Sequence, residues 1–254
     1  GNGIEILKNA GIKTKLGICE DLAKDSIYGF SQRVNGLHPE VNIKVASYSD
    51  GITVPSDKDP WITNNLSRSY GHVLRSNHDA IVVGVNTVKI DDPNLDCRLP
   101  GMKQRTPFKV IIDTNLRTPV SSSLVKNAKK NSLIIFTKLL KNNRIIEYKN
   151  NGVEVIEVET EDNGLLNLKN VLDKLSLKGF NRVLIEGGST LSSSFLENNL
   201  VNFVYWFKSN EKKAEENFLT NGDKSLNKLI KSSNFKIKDS ISLMSNKLEI
   251  YKRA

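Results

Sequence analysis

Cysteine is nearly absent: the chain of 254 residues holds two, Cys19 and Cys97, far apart and outside any C-x-x-C pair. That excludes a disulfide framework and a zinc knuckle, and two free thiols are the expectation. No apolar run approaches the length that crosses a bilayer, and the first residues, GNGIEILKNAGIK, lack the charged, apolar and small order of a signal peptide. The expected compartment is therefore the cytoplasm, with no membrane partner. Neither G-x-G-x-x-G nor a P-loop occurs, so the usual dinucleotide and triphosphate fingerprints are missing. Aromatics make up 7% of the chain, and no helix-turn-helix, zinc-finger or aromatic-rich RNA-binding signature accompanies the formal charge of +9. The charge is accordingly not read as a nucleic-acid footprint. Lysines are scattered along the chain; Lys126, Lys129 and Lys130 form the densest group and read as a solvated face. A general attraction for small anions remains.

What is present is a chain 38% hydrophobic, enough for one large or two small domains with a core. The organising stretch is 79–98, DAIVVGVNTVKIDDPNLDCR. Residues 80–83 make a short β-branched apolar run bounded by Gly84, as suits a strand covered on both faces. A polar loop is predicted next, with Thr87, Asp91, Asp92, Pro93, Leu95 and Arg98 crowding the strand's carboxyl end, where open α/β sheets bind ligands. Composition leaves a second reading open, in which Asp-Asp-Pro-Asn is a surface turn with an Asx cap.

Residues 108–112, 133–136, 153–158 and 182–185 repeat the buried-strand pattern, the first ending in Asp113-Thr114. Residues 41–48 alternate apolar and polar side chains and read as a strand with Lys44 on its exposed side. Thr63 is placed to cap a helix running to about Asn77, with Leu66, Tyr70, Val73 and Leu74 on one face. Arg75 sits near its carboxyl end, which favours a cation in any case. Leu168, Val171, Leu172 and Leu175 recur at helical spacing before Gly179. Nearer the amino terminus, Ile4, Leu7, Ala10 and Ile12 predict a helix and a short strand, and 18–28 a second helix. After 182–185 come Glu186-Gly187-Gly188-Ser189-Thr190 and a helix with Leu191, Phe195 and Leu196. Two glycines there let the backbone approach a ligand, and the first N–H groups with the Ser189 and Thr190 hydroxyls suit a diphosphate. Strand and helix alternate, which predicts a largely parallel sheet; 204–207, 235–237 and 248–251 are expected to finish it antiparallel.

These pieces resemble the reductase domain of the bacterial bifunctional deaminase–reductase family of riboflavin biosynthesis. The resemblance rests on K-V-A-x-x-x-D-G from Lys44, W-I-T at Trp61 and L-R-S-N-H-D-A-I-V-V-G-V-N-T-V-x-x-D-D-P-x-L-x-x-R from Leu74 to Arg98. V-I-I-D-T-N-L-R-T-P from Val110 and I-E-G-G-S-T-L from Ile185 follow in the family's order. G-N-G-I-E-I-L-K-N-A-G-I and Y-G-F-S-Q-R-V-N-G resemble the tail of the deaminase half and its connection. The implied organisation is 1–39 as that remnant and 40–254 as the reductase, with a covalently linked deaminase domain in the parent chain. The deaminase signature, H-x-E followed by P-C-x-x-C, is missing, and His38, His72 and His78 stand alone, so neither zinc nor deaminase activity is expected.

The resemblance implies an α/β, dihydrofolate-reductase-like, three-layer α/β/α fold with a mixed, mostly parallel sheet, and a homodimer. It implies NADPH-dependent reduction of 5-amino-6-(5-phosphoribosylamino)uracil to its ribitylamino product. Other readings kept open are a same-fold reductase of a pterin or another substrate, and an inactive nucleotide-binding module. By position, Arg75, Leu95 and Arg98 match substrate residues, the two arginines holding the 5-phosphate. Asp59 stands where the family has a substrate-contacting serine, and a carboxylate there would repel phosphate. Glu186 matches a substrate-side carboxylate able to stabilise a cationic imine. Lys44 and Asp91 are the candidate proton-handling pair, Lys44 as donor to the sugar and Asp91 also near the nicotinamide ribose. Ala46, Trp61, Thr87, Asp91, Thr114, Gly188, Ser189, Thr190, Leu191, Ser192, Ser193 and Ser194 match cofactor positions. Arg117 has two readings, a contact to the 2-phosphate of NADPH or an exposed surface cation. Two departures stand out: Tyr48-Ser49 before Asp50-Gly51 in place of Ser-Leu, and FVYWFKSNEKKAEENFL after residue 202, without the usual proline and glycine-rich turn.

Overall fold

The computed structural model describes residues 2–53, 61–139, 143–212, 228, 230, 231 and 235–254; the candidate Asp59 lies outside them. Helices α1 (Gly3–Asn9) and α2 (Glu20–Val34) precede β1 (Glu40–Ser47) and α3 (Asn65–Ser76). Then come β2 (Ala80–Gly84), α4 (Val85–Asp91), β3 (Phe108–Ile112), α5 (Ser123–Lys126), α6 (Ala128–Asn131), β4 (Leu133–Thr137) and α7 (Arg144–Asn150). The chain continues through β5 (Val153–Glu157), α8 (Leu168–Leu177), β6 (Arg182–Glu186), α9 (Ser189–Glu197), β7 (Phe203–Ser209), β8 (Phe235–Leu243) and β9 (Asn246–Arg253).

The strands form one nine-stranded sheet in the order β5-β4-β3-β2-β6-β1-β7-β9-β8. Buried apolar runs in β2, β4 and β6 suit central parallel strands whose two faces are both covered. On one face Val41, Ile43, Val110 and Ile185 join Leu172 and Leu175 of α8 and Phe195 of α9 in a single core. On the other, Ile81, Val83, Ile111 and Leu184 join Leu74 of α3, Val88 of α4, Val125 of α5 and Tyr148 of α7. The result is the three-layer α/β/α, dihydrofolate-reductase-like architecture. β7 pairs parallel with β1 and antiparallel with β9, and β8 pairs antiparallel with β9, so the expected antiparallel finish is formed by the pairs on the outer side of β7.

Several local expectations need correction. Asn64, not Thr63, caps α3: its Oδ1 accepts from Ser67 N–H at 2.9 Å while its Nδ2 donates to the Leu243 carbonyl at 2.8 Å. One amide thus satisfies a helix end and ties it to β8, its oxygen and nitrogen serving the two partners separately. Residues 85–91, read as loop, are the helix α4, because Val85 and Val88 lie one turn apart and both are buried. The short strand expected near Ile12 is not formed, and α1 buries none of its residues. α2 runs on to Val34, where Gly29 lies so close to the Asn181 carbonyl that any Cβ would come within 2.2 Å. Cys19 is exposed, Cys97 is buried, and both are free thiols. Lys126, Lys129 and Lys130 are exposed, as a solvated face requires. Among the described residues no helix is long and apolar enough to cross a membrane.

Candidate active site

Parallel pairing of β1 with β6 sets Lys44 opposite Glu186, so their side chains leave adjacent strands on the face that α3 covers. Lys44 is half-buried rather than exposed, with Nζ 5.8 Å from the centroid of the Phe207 ring. Burial pushes its pKa below the ordinary lysine value, and Glu186 offsets this only in part. The Glu186 carboxylate is buried and receives Arg75 in a two-pronged pair, Nε to Oε1 and Nη2 to Oε2, both at 2.8 Å. Burial alone would raise its pKa; hydrogen bonds and charge from Arg75, and then the charge of Lys44, hold it below the usual carboxylate range instead. Arg75 also stands in the last turn of α3, where a cation is favoured, so the ion pair adds to that placement.

Arg75 Nη1 also donates to the Asp96 carbonyl at 3.0 Å, so three of its five N–H groups serve the protein. That leaves it less available to a phosphate than expected. Its main service is to keep Glu186 ionised and aimed. Arg98 is exposed two residues beyond Asp96, and its backbone N–H lies 3.4 Å from His72 Nδ1. Leu95 is buried with φ 54, a left-handed turn that brings Asp96 back over α3. Sequence reasoning passed over His72, Asp96 and Lys109. His72 stood three residues before Arg75 and thus on the same helical face, a usable signal; Lys109, hidden inside an apolar strand, gave none.

The acidic residues after β2 divide their duties. Asp91 is exposed at the end of α4, and partial burial raises its pKa. Asp92 accepts from Ser123 N–H at 2.7 Å and Ser123 Oγ at 2.8 Å at the start of α5, a long-range tie in place of the local Asx cap. Asp113 is fully buried and accepts from the Thr118 N–H and hydroxyl at 2.6 and 2.7 Å. It anchors the loop that carries Thr114 and Arg117 and is not itself presented to a ligand.

Beside this array, a cleft of ≈ 270 Å³ opens at the carboxyl ends of β2, β3 and β6. Thr87, Thr114, Gly188, Thr190, Leu191 and Ser194 line it, with Arg117 among the lining residues. Gly187 and Gly188 have φ of 82 and 61, and a Cβ on Gly187 would lie 3.0 Å from Thr87 Oγ1. No side chain caps the start of α9, whose first N–H groups are left for an anion. A cradle of two glycines at positive φ, hydroxyls, helix N–H groups and a cation suits the phosphates of a nicotinamide dinucleotide. Ala46, Trp61, Asp91, Ser189, Ser192 and Ser193 do not line the cleft. Ser192 and Ser193 are buried in α9, Ala46 packs against the second core, and exposed Trp61 stacks with Arg68, whose Cζ is 4.5 Å from its ring centroid.

Gly187→Ala adds a Cβ to a left-handed residue against Thr87. It is expected to cost about 1–3 kcal/mol of stability and to weaken cofactor binding. Thermal denaturation and a cofactor titration would check this; an alanine variant as stable and tight-binding as the wild type would contradict the cradle.

Comparison with known proteins adds independent findings. The family model of the RibD C-terminal domain matches residues 39–207. The riboflavin biosynthesis protein RibD of Aquifex aeolicus (strain VF5) is 34% identical over 199 residues, 78% of this chain and 53% of that protein. The Chlamydia trachomatis RibD is 33% identical over 210 residues, 80% of this chain and 55% of the other. The chain thus spans about half the length of these relatives. Among solved structures, Acinetobacter baumannii RibD, form 1, superposes with a TM-score of 0.78 at 28% identity, covering 100% of this chain and 69% of that one. A diaminohydroxyphosphoribosylaminopyrimidine deaminase/5-amino-6-(5-phosphoribosylamino)uracil reductase from Thermotoga maritima gives 0.76 at 26% identity, covering 100% and 68%. With its paired Lys44 and Glu186 beside a glycine cradle, and with matches of this extent, the chain belongs to the RibD C-terminal domain family.

Proposed function

We propose that this chain reduces 5-amino-6-(5-phosphoribosylamino)uracil to 5-amino-6-(5-phosphoribitylamino)uracil with NADPH, a step of riboflavin biosynthesis. The observation that carries the reading is the Lys44, Glu186 and Arg75 array, one residue away from the Gly187 turn that borders the cofactor cleft. The chemistry that the nicotinamide supplies when bound is a hydride for C1 of the ribose in its ring-opened, imine form. Lys44 gives a proton to the sugar oxygen as the ring opens, and its lowered pKa makes that donation easier. Glu186 sets a fixed negative charge beside the cationic imine, and Arg75 keeps that charge from being neutralised. Arg98 and the His72 edge of α3 receive the phosphate. Asp91 is assigned to the nicotinamide ribose, which requires it to swing inward from its exposed position.

Arg117 is half-exposed in the cleft lining, with Nε 3.8 Å from buried Asp113, and is assigned to the 2-phosphate that distinguishes NADPH from NADH. Arg117→Ala is expected to weaken NADPH by about 1.5–3 kcal/mol, the range for a hydrogen bond to a charged group, and to leave NADH unchanged. KM measured for both cofactors decides it; equal losses would remove the assignment. Arg98→Ala is expected to raise KM for the phosphorylated substrate with kcat largely kept. A fall in kcat alone would move Arg98 out of the phosphate site.

Residues 1–39 are assigned to the end of a deaminase domain and its connection, and 40–254 to the reductase. In support, Ile6, Leu16, Ile18, Leu22, Phe30 and Val34 are all exposed, a surface suited to a further domain, while Asp25 ties α2 to Lys238 and Lys252. A homodimer and a cytoplasmic location belong to the same proposal. Incubation with the phosphoribosylaminouracil and NADPH is expected to consume the reduced-nicotinamide absorbance; folded protein that binds NADPH without consuming it would overturn the reading.

A further inference from the structure

We propose that Lys109, a buried lysine outside the reacting array, is a positioning residue that holds the substrate loop in place through Asp96. The loop's substrate depends on the reductase reading; the positioning depends on geometry alone. Lys109 lies on β3 and is 1% exposed, with Nζ 3.2 Å from Asp96 Oδ1. A cation so deep needs a counter-charge, and among the described residues Asp96 is its ion-pair partner. Burial pulls the Lys109 pKa down and Asp96 partly restores it.

Asp96 works with both its ends. Its carboxylate meets Lys109, while its backbone carbonyl receives Arg75 Nη1 at 3.0 Å and faces His72 Nδ1 at 3.1 Å. Charges therefore alternate from the sheet interior to the site: Lys109, Asp96, Arg75, Glu186, Lys44. With Lys109 uncharged, the Asp96 carboxylate, which is one-third exposed, has a path to water. Its carbonyl would then lose its fixed direction, and Arg75, His72 and the neighbouring Arg98 would lose theirs. Other ties of this loop, such as Thr106 Oγ1 accepting from Cys97 N–H at 3.1 Å, hold its chain path without fixing that carbonyl.

Two readouts test this in Lys109→Met, Lys109→Arg and Asp96→Asn. The first needs no substrate: the pH titration of the His72 ring by NMR, its signal identified by its loss in His72→Gln. His72 is faced by Arg75 of its own helix, Arg98 and the Asp96 carbonyl of the loop, and Glu186 of β6. Burial and then the two arginines hold its pKa below the ordinary value. Displacing the arginines would raise it and losing the Asp96 carbonyl would lower it, so Lys109→Met and Asp96→Asn are expected to move the titration away from its wild-type position, and Lys109→Arg to leave it there. The second is a split in kinetics: KM for the phosphorylated uracil rises by about ten- to a hundredfold in Lys109→Met, kcat falls less, and NADPH affinity is unchanged. If Lys109→Met does not fold, Asp96→Asn carries both readouts. An unchanged His72 titration in a folded variant, or parallel loss of substrate and NADPH affinity, would overturn the proposal. Wild-type protein that fails to turn over the uracil, with the His72 response intact, would sink the reductase reading and leave the positioning standing.

Discussion

Glu186→Gln is expected to lower kcat by about 10²–10³-fold with little change in KM for the phosphorylated substrate. The substitution keeps size and shape but removes the negative charge between Lys44 and Arg75. An amide also turns one N–H toward Arg75, so one prong of the pair becomes a repulsion. Breaking a buried pair from one side costs about 3–5 kcal/mol, so the melting temperature should fall as well. Acid denaturation separates the two consequences. The folded-state pKa of Glu186 lies below its ordinary 4.5, so its contribution to stability is present above that value and is lost as pH falls through the lowered one. The glutamine variant should lack that part of the acid transition. Equal kinetic behaviour of Glu186→Gln and Arg98→Ala would show the division of roles to be wrong.

Lys44→Met is expected to reduce kcat by about 10²–10⁴-fold, the contribution of a positioned general acid. Methionine fills the half-buried place beside Phe207, so the fold should be kept; Arg75 still neutralises Glu186. The pH profile identifies the cause. The Lys44 pKa is lowered from 10.5, so in the wild type kcat/KM should decline on the alkaline side at a pH below that of an ordinary lysine, as Lys44 loses its proton. The methionine variant should show low activity without that decline. A variant that keeps the alkaline limb would assign the proton to another group.

The central strands were legible because burial on both faces leaves continuous β-branched runs, as in 80–83 and 108–112, and β2 and β3 occur where those runs stand. The glycine turn before α9 was legible for a similar reason, since two adjacent glycines between strand and helix have few other uses. What failed was short or long-range. α5 and α6 are four residues each, too short for a helical period, and α4 was hidden by its polar residues. The partners of Arg75 lie 21 and 111 residues away, and no spacing rule could connect them. Lys44 read as exposed because alternation reports only which residues share a face; the helix that covers that face is a tertiary fact. Nor did the motif that matched Ser192 and Ser193 to cofactor positions show that the helix buries both.

The most direct test of the account is the fate of hydrogen at one carbon. With NADPH deuterated at both C4 positions and the phosphoribosylaminouracil as substrate, the ribityl product made by this chain should carry deuterium at C1, and Glu186→Gln and Lys44→Met should make it far more slowly. A product without the label at C1, or no product from folded protein saturated with NADPH, would contradict the account.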